Sequence, residues 1–344
     1  MRPARFQRYS QRNGNAQAQL IRAVIWNDTH GDRVAPNQLK SVSYTLEEWS
    51  SCLTAVKCPQ QRSQLESCNP KLGIRRCARM NRIEERFARL QREQQKGFIA
   101  YIGAGDPNLE ATRQLALAFD TAGVDILELG VPFSDPLADG LVNQVAAQRG
   151  LESGTTPPKV LETVAAIRRD SQIPIVLYVY YNLLHHCGLK RFIDDAVDAG
   201  VDGLLILDLP PEESGNYESL MNAAECCVIY LIAPTTSNDR IALIAKRGTG
   251  FIYYVSREGV TGMQAKVSET IVQMIAKIRA HTHLPIAVGF GISNADQARN
   301  VASNAEAIVV GSAIVNQIAK YGNSPDLVHC VGEFVKSLVD AVKR

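Results

Sequence analysis

The sequence predicts a (β/α)8 TIM barrel of the α/β class, with an N-terminal amphipathic helix and, before that, a basic extension. Three observations carry this. From Met80 onward, a short apolar run, a loop and an amphipathic stretch recur eight times within 265 residues, close to the ~250 residues such barrels use. The runs are almost continuously apolar, as strands covered by helices should be. The turn after the first run reads Gly103-Ala104-Gly105-Asp106-Pro107. Its G-x-G leads into Asp-Pro, which cannot continue as the glycine fingerprint of a doubly wound open sheet.

Residues 1–79 form a first unit by composition. They hold 13 Lys and Arg against 5 Asp and Glu, a net of +8, whereas residues 80–344 carry a net of −6. They lack any sustained period of 2 or 3.6, and both tryptophans, Trp26 and Trp49, fall here. A transit peptide would be poor in acids, which Asp28, Asp32, Glu47, Glu48 and Glu66 contradict. The basic residues are scattered rather than clustered, which argues against a nucleic-acid tail. The segment therefore reads as a disordered extension, or as translated upstream sequence with Met80 as the natural start.

The second unit, residues 80–344, opens with Ile83, Phe87 and Leu90 at helical spacing among charges, giving an amphipathic helix to about Gln95 that Gly97 ends. The expected strands are 98–102, 124–129, 173–180, 203–207, 228–233, 251–255, 286–290 and 307–310. Helical patterns follow them, among others at 109–122, 190–199, 239–246 and 267–280. No apolar stretch approaches the ~20 residues of a membrane span. None of the eight cysteines forms a C-x-x-C pair or a zinc spacing, so they read as reduced thiols of a soluble, cytoplasmic protein.

The chain is organised around residues 127–140, L-E-L-G-V-P-F-S-D-P-L-A-D-G. Glu128 sits inside an apolar run, Gly130 and Pro132 stop the strand, and the loop holds Asp135 and Asp139. A carboxylate in such a strand is costly unless compensated. It is either paired with a structural Arg or backbone group, or a general acid/base at a strand end with a second carboxylate on the adjoining loop.

Barrel sites lie at the C-terminal ends of strands. In chain order these ends carry Asp106, Glu128, Asp139, Tyr180 with Asn182, Asp208, Tyr253 with Arg257, and three glycine-rich loops: 258–262, 289–293 and 310–312. The last two follow strands 7 and 8, where backbone N–H groups and a helix start commonly bind phosphate; plain tight turns are the alternative. No Lys lies in or directly after an expected strand, which disfavours a Schiff base. His281 and His283 precede strand 7, and His185 and His186 are adjacent, so no metal site is expected. Carboxylate acid/base chemistry on a phosphorylated substrate remains.

The 127–140 stretch, together with A-G-D-P (104–107), Y-Y-N (180–182), D-L-P-P-E-E (208–213), S-R-E-G-V-T-G (256–262), G-F-G-I-S and G-S-A-I-V (311–315), resembles the α subunit of tryptophan synthase across residues 80–344. The resemblance implies retro-aldol cleavage of indole-3-glycerol phosphate to indole and glyceraldehyde 3-phosphate. It implies Glu128 as proton shuttle and Asp139 as partner of the indole N–H, with phosphate held by Gly262, Gly291, Gly311 and Ser312. Tyr180, Tyr253 and Phe290 would line the pocket, and Thr261 would meet Asp139 on loop closure. The implied partner is a β subunit carrying pyridoxal phosphate in an α2β2 heterotetramer, met by a loop with Pro132 and Asp135; this chain itself needs no cofactor. Two departures from the family pattern are Leu141, where Pro is usual, and Gly103, where a larger residue is common; the latter is expected to leave room near strand 1. A stand-alone indole-releasing lyase and a non-catalytic activator of a β subunit are the competing readings, and intact Glu128 and Asp139 count against the activator.

Overall fold

The computed structural model describes residues 80–255, 264–289 and 291–343, with the side chains of 264–269 outside that description. The expectations for residues 1–79, and for Thr261, Gly262 and Phe290, lie outside the described residues.

Eight parallel strands close into a barrel in sequence order, with β8 returning to pair with β1. They are β1 (Gly97–Gly103), β2 (Ile126–Gly130), β3 (Ile175–Val179), β4 (Gly203–Ile206), β5 (Cys227–Ile232), β6 (Ile252–Val255), β7 (Ile286–Gly289) and β8 (Ala307–Val310). Each matches its expected run to within a few residues. The third is shorter than expected because Tyr180 turns the chain into a short helix that the apolar run concealed.

The helices are α1 (Arg82–Arg92), α2 (Leu109–Ala122), α3 (Leu141–Glu152), α4 (Pro157–Ile167), α5 (Tyr181–Cys187), α6 (Leu189–Ala199), α7 (Gly215–Ala223), α8 (Asn238–Arg247), α9 (Gln264–Arg279), α10 (Ala295–Ala302), α11 (Ser312–Tyr321) and α12 (Leu327–Lys343). Their boundaries follow local chemistry. The Asn108 side chain accepts from Ala111 N at 2.8 Å to start α2, and Gly123, at φ 89°, ends it in the left-handed region.

Outward-facing strand residues pack under the helices; Leu115 and Phe119 of α2 join Val335 and Leu338 of α12 in that shell. Inward-facing residues alternate with them. Ile99, Ile126, Val176, Leu205, Ile229, Ala287, Ala307 and Val309 fill the barrel. The predicted amphipathic helix α1 closes the bottom with Ile83, Phe87 and Leu90, and Phe87 meets Phe251 at 5.7 Å between ring centroids. Burying each such side chain contributes roughly 1.5–3 kcal/mol before ordering costs.

Two buried acids tie the bottom together. Asp125 accepts from Phe98 N at 2.8 Å and pairs with Lys343 and Arg86. Asp202 accepts from Ile175 N at 2.8 Å and pairs with Arg168 and Arg82. Such partnered carboxylates at the N-terminal face serve stability.

Candidate active site

Strand β2 runs between β1 and β3, and its register sets Glu128 beside Tyr101 and Val176. With Ile126 facing inward, the two-residue period aims Glu128 into the barrel at its upper end. The residue is 1% exposed, and neither carboxylate oxygen has a hydrogen-bond partner among the described residues. Burial, and then the charge of Asp139, push its carboxyl up to about 8. Near neutral pH it therefore carries a proton that it can both give and reclaim. The alternative of a structurally paired Glu is not what the structure holds.

The loop after β2 brings the second carboxylate back over the strand ends. Pro132 is buried, and the ring of Phe133 lies 5.1 Å from that of Tyr180. Tyr178 donates to Oδ1 of Asp139 at 2.8 Å, and Tyr180 donates to Oδ2 at 2.7 Å. Tyr180 also accepts from Ala138 N at 3.0 Å, so it braces loop and carboxylate together. Burial followed by Asp139 raises the phenol of Tyr178 far above its ordinary value, and it stays a neutral donor. Sequence reasoning missed Tyr178. Its signal was the two-residue period of strand 3, in which Val176 and Tyr178 share the inner face.

Glu128 and Asp139 line a cavity of about 620 Å³ at the C-terminal ends of the strands, bounded also by Tyr101, Tyr178 and Tyr253. That volume suits a small aromatic phosphate. The tyrosines explain two glycines that flank it. A Cβ at Gly130 would fall 2.5 Å from the Tyr101 hydroxyl, and one at Gly289 would fall 2.8 Å from that of Tyr253.

The same cavity is also lined by Gly291, Gly311 and Ser312. Gly291 takes φ +48°. Gly311 is the N-cap of α11 and supplies no side-chain cap. The first helical bond there runs from Val315 N to Gly311 O, so the N–H groups of Ser312, Ala313 and Ile314 precede the internal ladder and suit an anion. The start of α10 is different. Asn294 accepts from Gln297 N, and Gln297 accepts from Ser293 N, which closes that end on itself.

The other strand-end residues take supporting positions. Asp106, 1% exposed, is held by Arg149 through two bonds of 2.7 and 2.6 Å. Asp208 accepts from Tyr181 N at 2.7 Å and ties the loop after β4 to that after β3. Asp135 is exposed and accepts from Ser134 Oγ at 2.6 Å. Leu137 and Leu141 stand out beside it at 91% and 75% exposure. Gly103 leaves room for a small side chain near β1, since a Cβ there would meet Ala146 at 3.5 Å, ordinary contact. No group of three or more metal-ligating side chains occurs among the described residues, and no described helix is long and apolar enough to cross a membrane.

An acid poised near neutrality, a fixed carboxylate and an open helix start around one cavity agree with what the comparisons find. The family model for the tryptophan synthase alpha chain matches residues 87–342. The chain belongs to the tryptophan synthase alpha chain family. The tryptophan synthase alpha chain of Opitutus terrae is 53% identical over 247 residues, covering 72% of this chain and 93% of the relative. That of Geotalea uraniireducens is 45% identical, covering 77% and 98%. Among solved structures, tryptophan synthase subunit alpha from Legionella pneumophila superposes with a TM-score of 0.72 at 34% identity, over 77% of this chain and 99% of that one. A chain of the ligand-free tryptophan synthase from M. tuberculosis gives 0.69 at 26% identity, over 77% and 100%. As a tryptophan synthase alpha chain, the protein is a lyase of tryptophan biosynthesis that cleaves indole-3-glycerol phosphate.

Proposed function

We propose that this cavity carries out the retro-aldol cleavage with Glu128 as proton shuttle and Asp139 as the anion opposite the indole nitrogen. Protonated Glu128 gives its proton to C3 of the ring, and positive charge develops on the ring nitrogen, where Asp139 stabilises it. The carboxylate then removes the proton of the hydroxyl next to the breaking bond. The C–C electrons return to the ring, leaving indole, glyceraldehyde 3-phosphate and a reprotonated Glu128. The observation that carries this reading is the burial of the Glu128 carboxyl with both oxygens unpartnered.

Phosphate would lie on the N–H groups around Gly311 and Ser312, with Gly291 and Gly262 completing the cradle. Tyr180, Tyr253 and Phe290 would surround indole and glycerol, and Thr261 would reach Asp139. The open start of α11 in the wall of the same cavity supports the phosphate position.

The partner in this reading is a β chain holding pyridoxal phosphate, in an α2β2 assembly, within the cytoplasm. The Pro132–Asp135 loop would face it. Exposed Leu137 and Leu141 beside that loop support an interface there. The test is indole release from indole-3-glycerol phosphate by the purified chain, with and without a β chain. Absence of release in both arms refutes the reading, and release in both at equal rates removes the partner from it.

A further inference from the structure

Among the described residues, two that border the cavity carry side-chain oxygens buried without a hydrogen-bond partner: Glu128, and Asn143 through its Oδ1. The oxygens of Glu128 are accounted for by the proton transfers. That of Asn143 is not. Asn143 lies in the first turn of α3, four residues after Asp139. Its neighbour Gln144 is already committed, donating to the backbone oxygen of Asp139 at 3.0 Å. A desolvated amide oxygen with no donor is costly and calls for an explanation. In a cavity wall, the explanation at hand is a donor that arrives with the ligand.

The substrate offers few donors. Indole-3-glycerol phosphate has the ring N–H, the hydroxyl beside the breaking bond and the middle hydroxyl of the three-carbon chain; its phosphate dianion only accepts. On the reading above, Asp139 takes the first and Glu128 the second. We propose that Asn143 Oδ1 accepts a hydrogen bond from the middle hydroxyl and makes this site selective for a substrate that bears it. The inference rests on the proposed reaction, because the donor is found by removing those that the reaction uses. A site that desolvates an acceptor discriminates strongly against a ligand lacking the matching donor. Asn143 would then be a specificity residue that touches substrate and takes no part in bond breaking.

The test uses two substrates and three proteins. The substrates are indole-3-glycerol phosphate and its analogue with hydrogen in place of the middle hydroxyl. The proteins are the full chain, Asn143→Leu, which keeps the shape and removes the acceptor, and Asn143→Asp, which keeps an acceptor. The unsubstituted chain should favour the natural substrate by about tenfold or more in kcat/KM, as a hydrogen bond made in a dry site does. Asn143→Leu should lose about tenfold on the natural substrate, chiefly in KM, stay within about twofold on the analogue, and melt no lower than the parent. Asn143→Asp should retain most of the preference. No preference between the substrates in the unsubstituted chain overturns the proposal without reference to any variant. So does a Leu variant that weakens both substrates alike or lowers Tm, since that marks a structural asparagine. Failure of the underlying reaction looks different: the unsubstituted chain would then release no indole from either compound.

Discussion

Glu128 should cost the fold stability in a way that depends on pH, and removing its charge should reveal this. Its carboxyl is pushed up to about 8 in the folded chain by burial and by Asp139, against ~4.3 when unfolded. Between these values the unfolded chain has lost the proton and the folded chain keeps it. Stability is therefore fully present below ~4.3 and declines as pH rises toward 8, at about 1.4 kcal/mol per pH unit for one group. Above 8 the decline from this group ends. Glu128→Gln has no such proton, so the difference in unfolding free energy between variant and parent should widen by roughly 2–3 kcal/mol from pH 5.5 to 7.5. It should be level from pH 8.5 upward. Comparing differences across pH cancels the fixed cost of burying an amide, which is the same at every pH. Denaturant unfolding at four pH values measures it, while indole release at saturating substrate should fall by ~10²–10⁴-fold in the same variant. A difference that does not change with pH would show that Glu128 does not hold its proton in the fold, and the acid argument would fail with it.

Asp139→Asn should lower kcat at saturating substrate by ~10²-fold, because the developing positive charge loses its anion. If only KM rises, Asp139 is a binding residue. The same change should bring the alkaline limb of kcat/KM down below 8, since Asp139 contributes to the raised Glu128 carboxyl. Tyr178→Phe frees Oδ1 of Asp139 and should cost ~10-fold in kcat with KM little changed, as for a hydrogen bond to a charged group; unchanged kcat would show that Tyr180 alone holds the carboxylate. Deleting residues 1–79 should leave activity and Tm nearly unchanged, and a loss of more than a few degrees would show that the segment stabilises the barrel.

The barrel was legible because its strands are apolar on both faces, so each of the eight runs stood out against amphipathic helices. Strand ends were less so. Tyr180 belongs to the apolar run of strand 3 by composition, yet it caps α5 and braces Asp139, and only the fold decides between these. Glu128 and Asp139 were visible as carboxylates where an apolar strand turns into a loop. Tyr178 was hidden because an inward aromatic ordinarily fills a barrel. Asn143 was hidden for another reason: a polar residue in the first turn of a helix is unremarkable until its oxygen is found desolvated.

Burial alone does not set Glu128 apart from the other buried acids; partners do. Asp106, Asp125, Glu128 and Asp202 are each no more than 3% exposed. Three of them meet cations: Arg149 for Asp106, Lys343 and Arg86 for Asp125, Arg168 and Arg82 for Asp202. Asp125 and Asp202 accept backbone N–H groups as well. These interactions offset the cost of removing a carboxylate from water, and through them the three hold loops and strand starts in place. Among the described residues Glu128 alone of the four lacks both kinds of partner, and the charge that acts on it, that of Asp139, has the same sign. A fold has no use for such a group, since a methionine of similar size would bury apolar surface without penalty. The same isolation that destabilises the charged form is what lets a carboxyl donate its proton near neutral pH. An arginine placed beside Glu128 would stabilise the barrel and, by holding the carboxylate charged, abolish the acid.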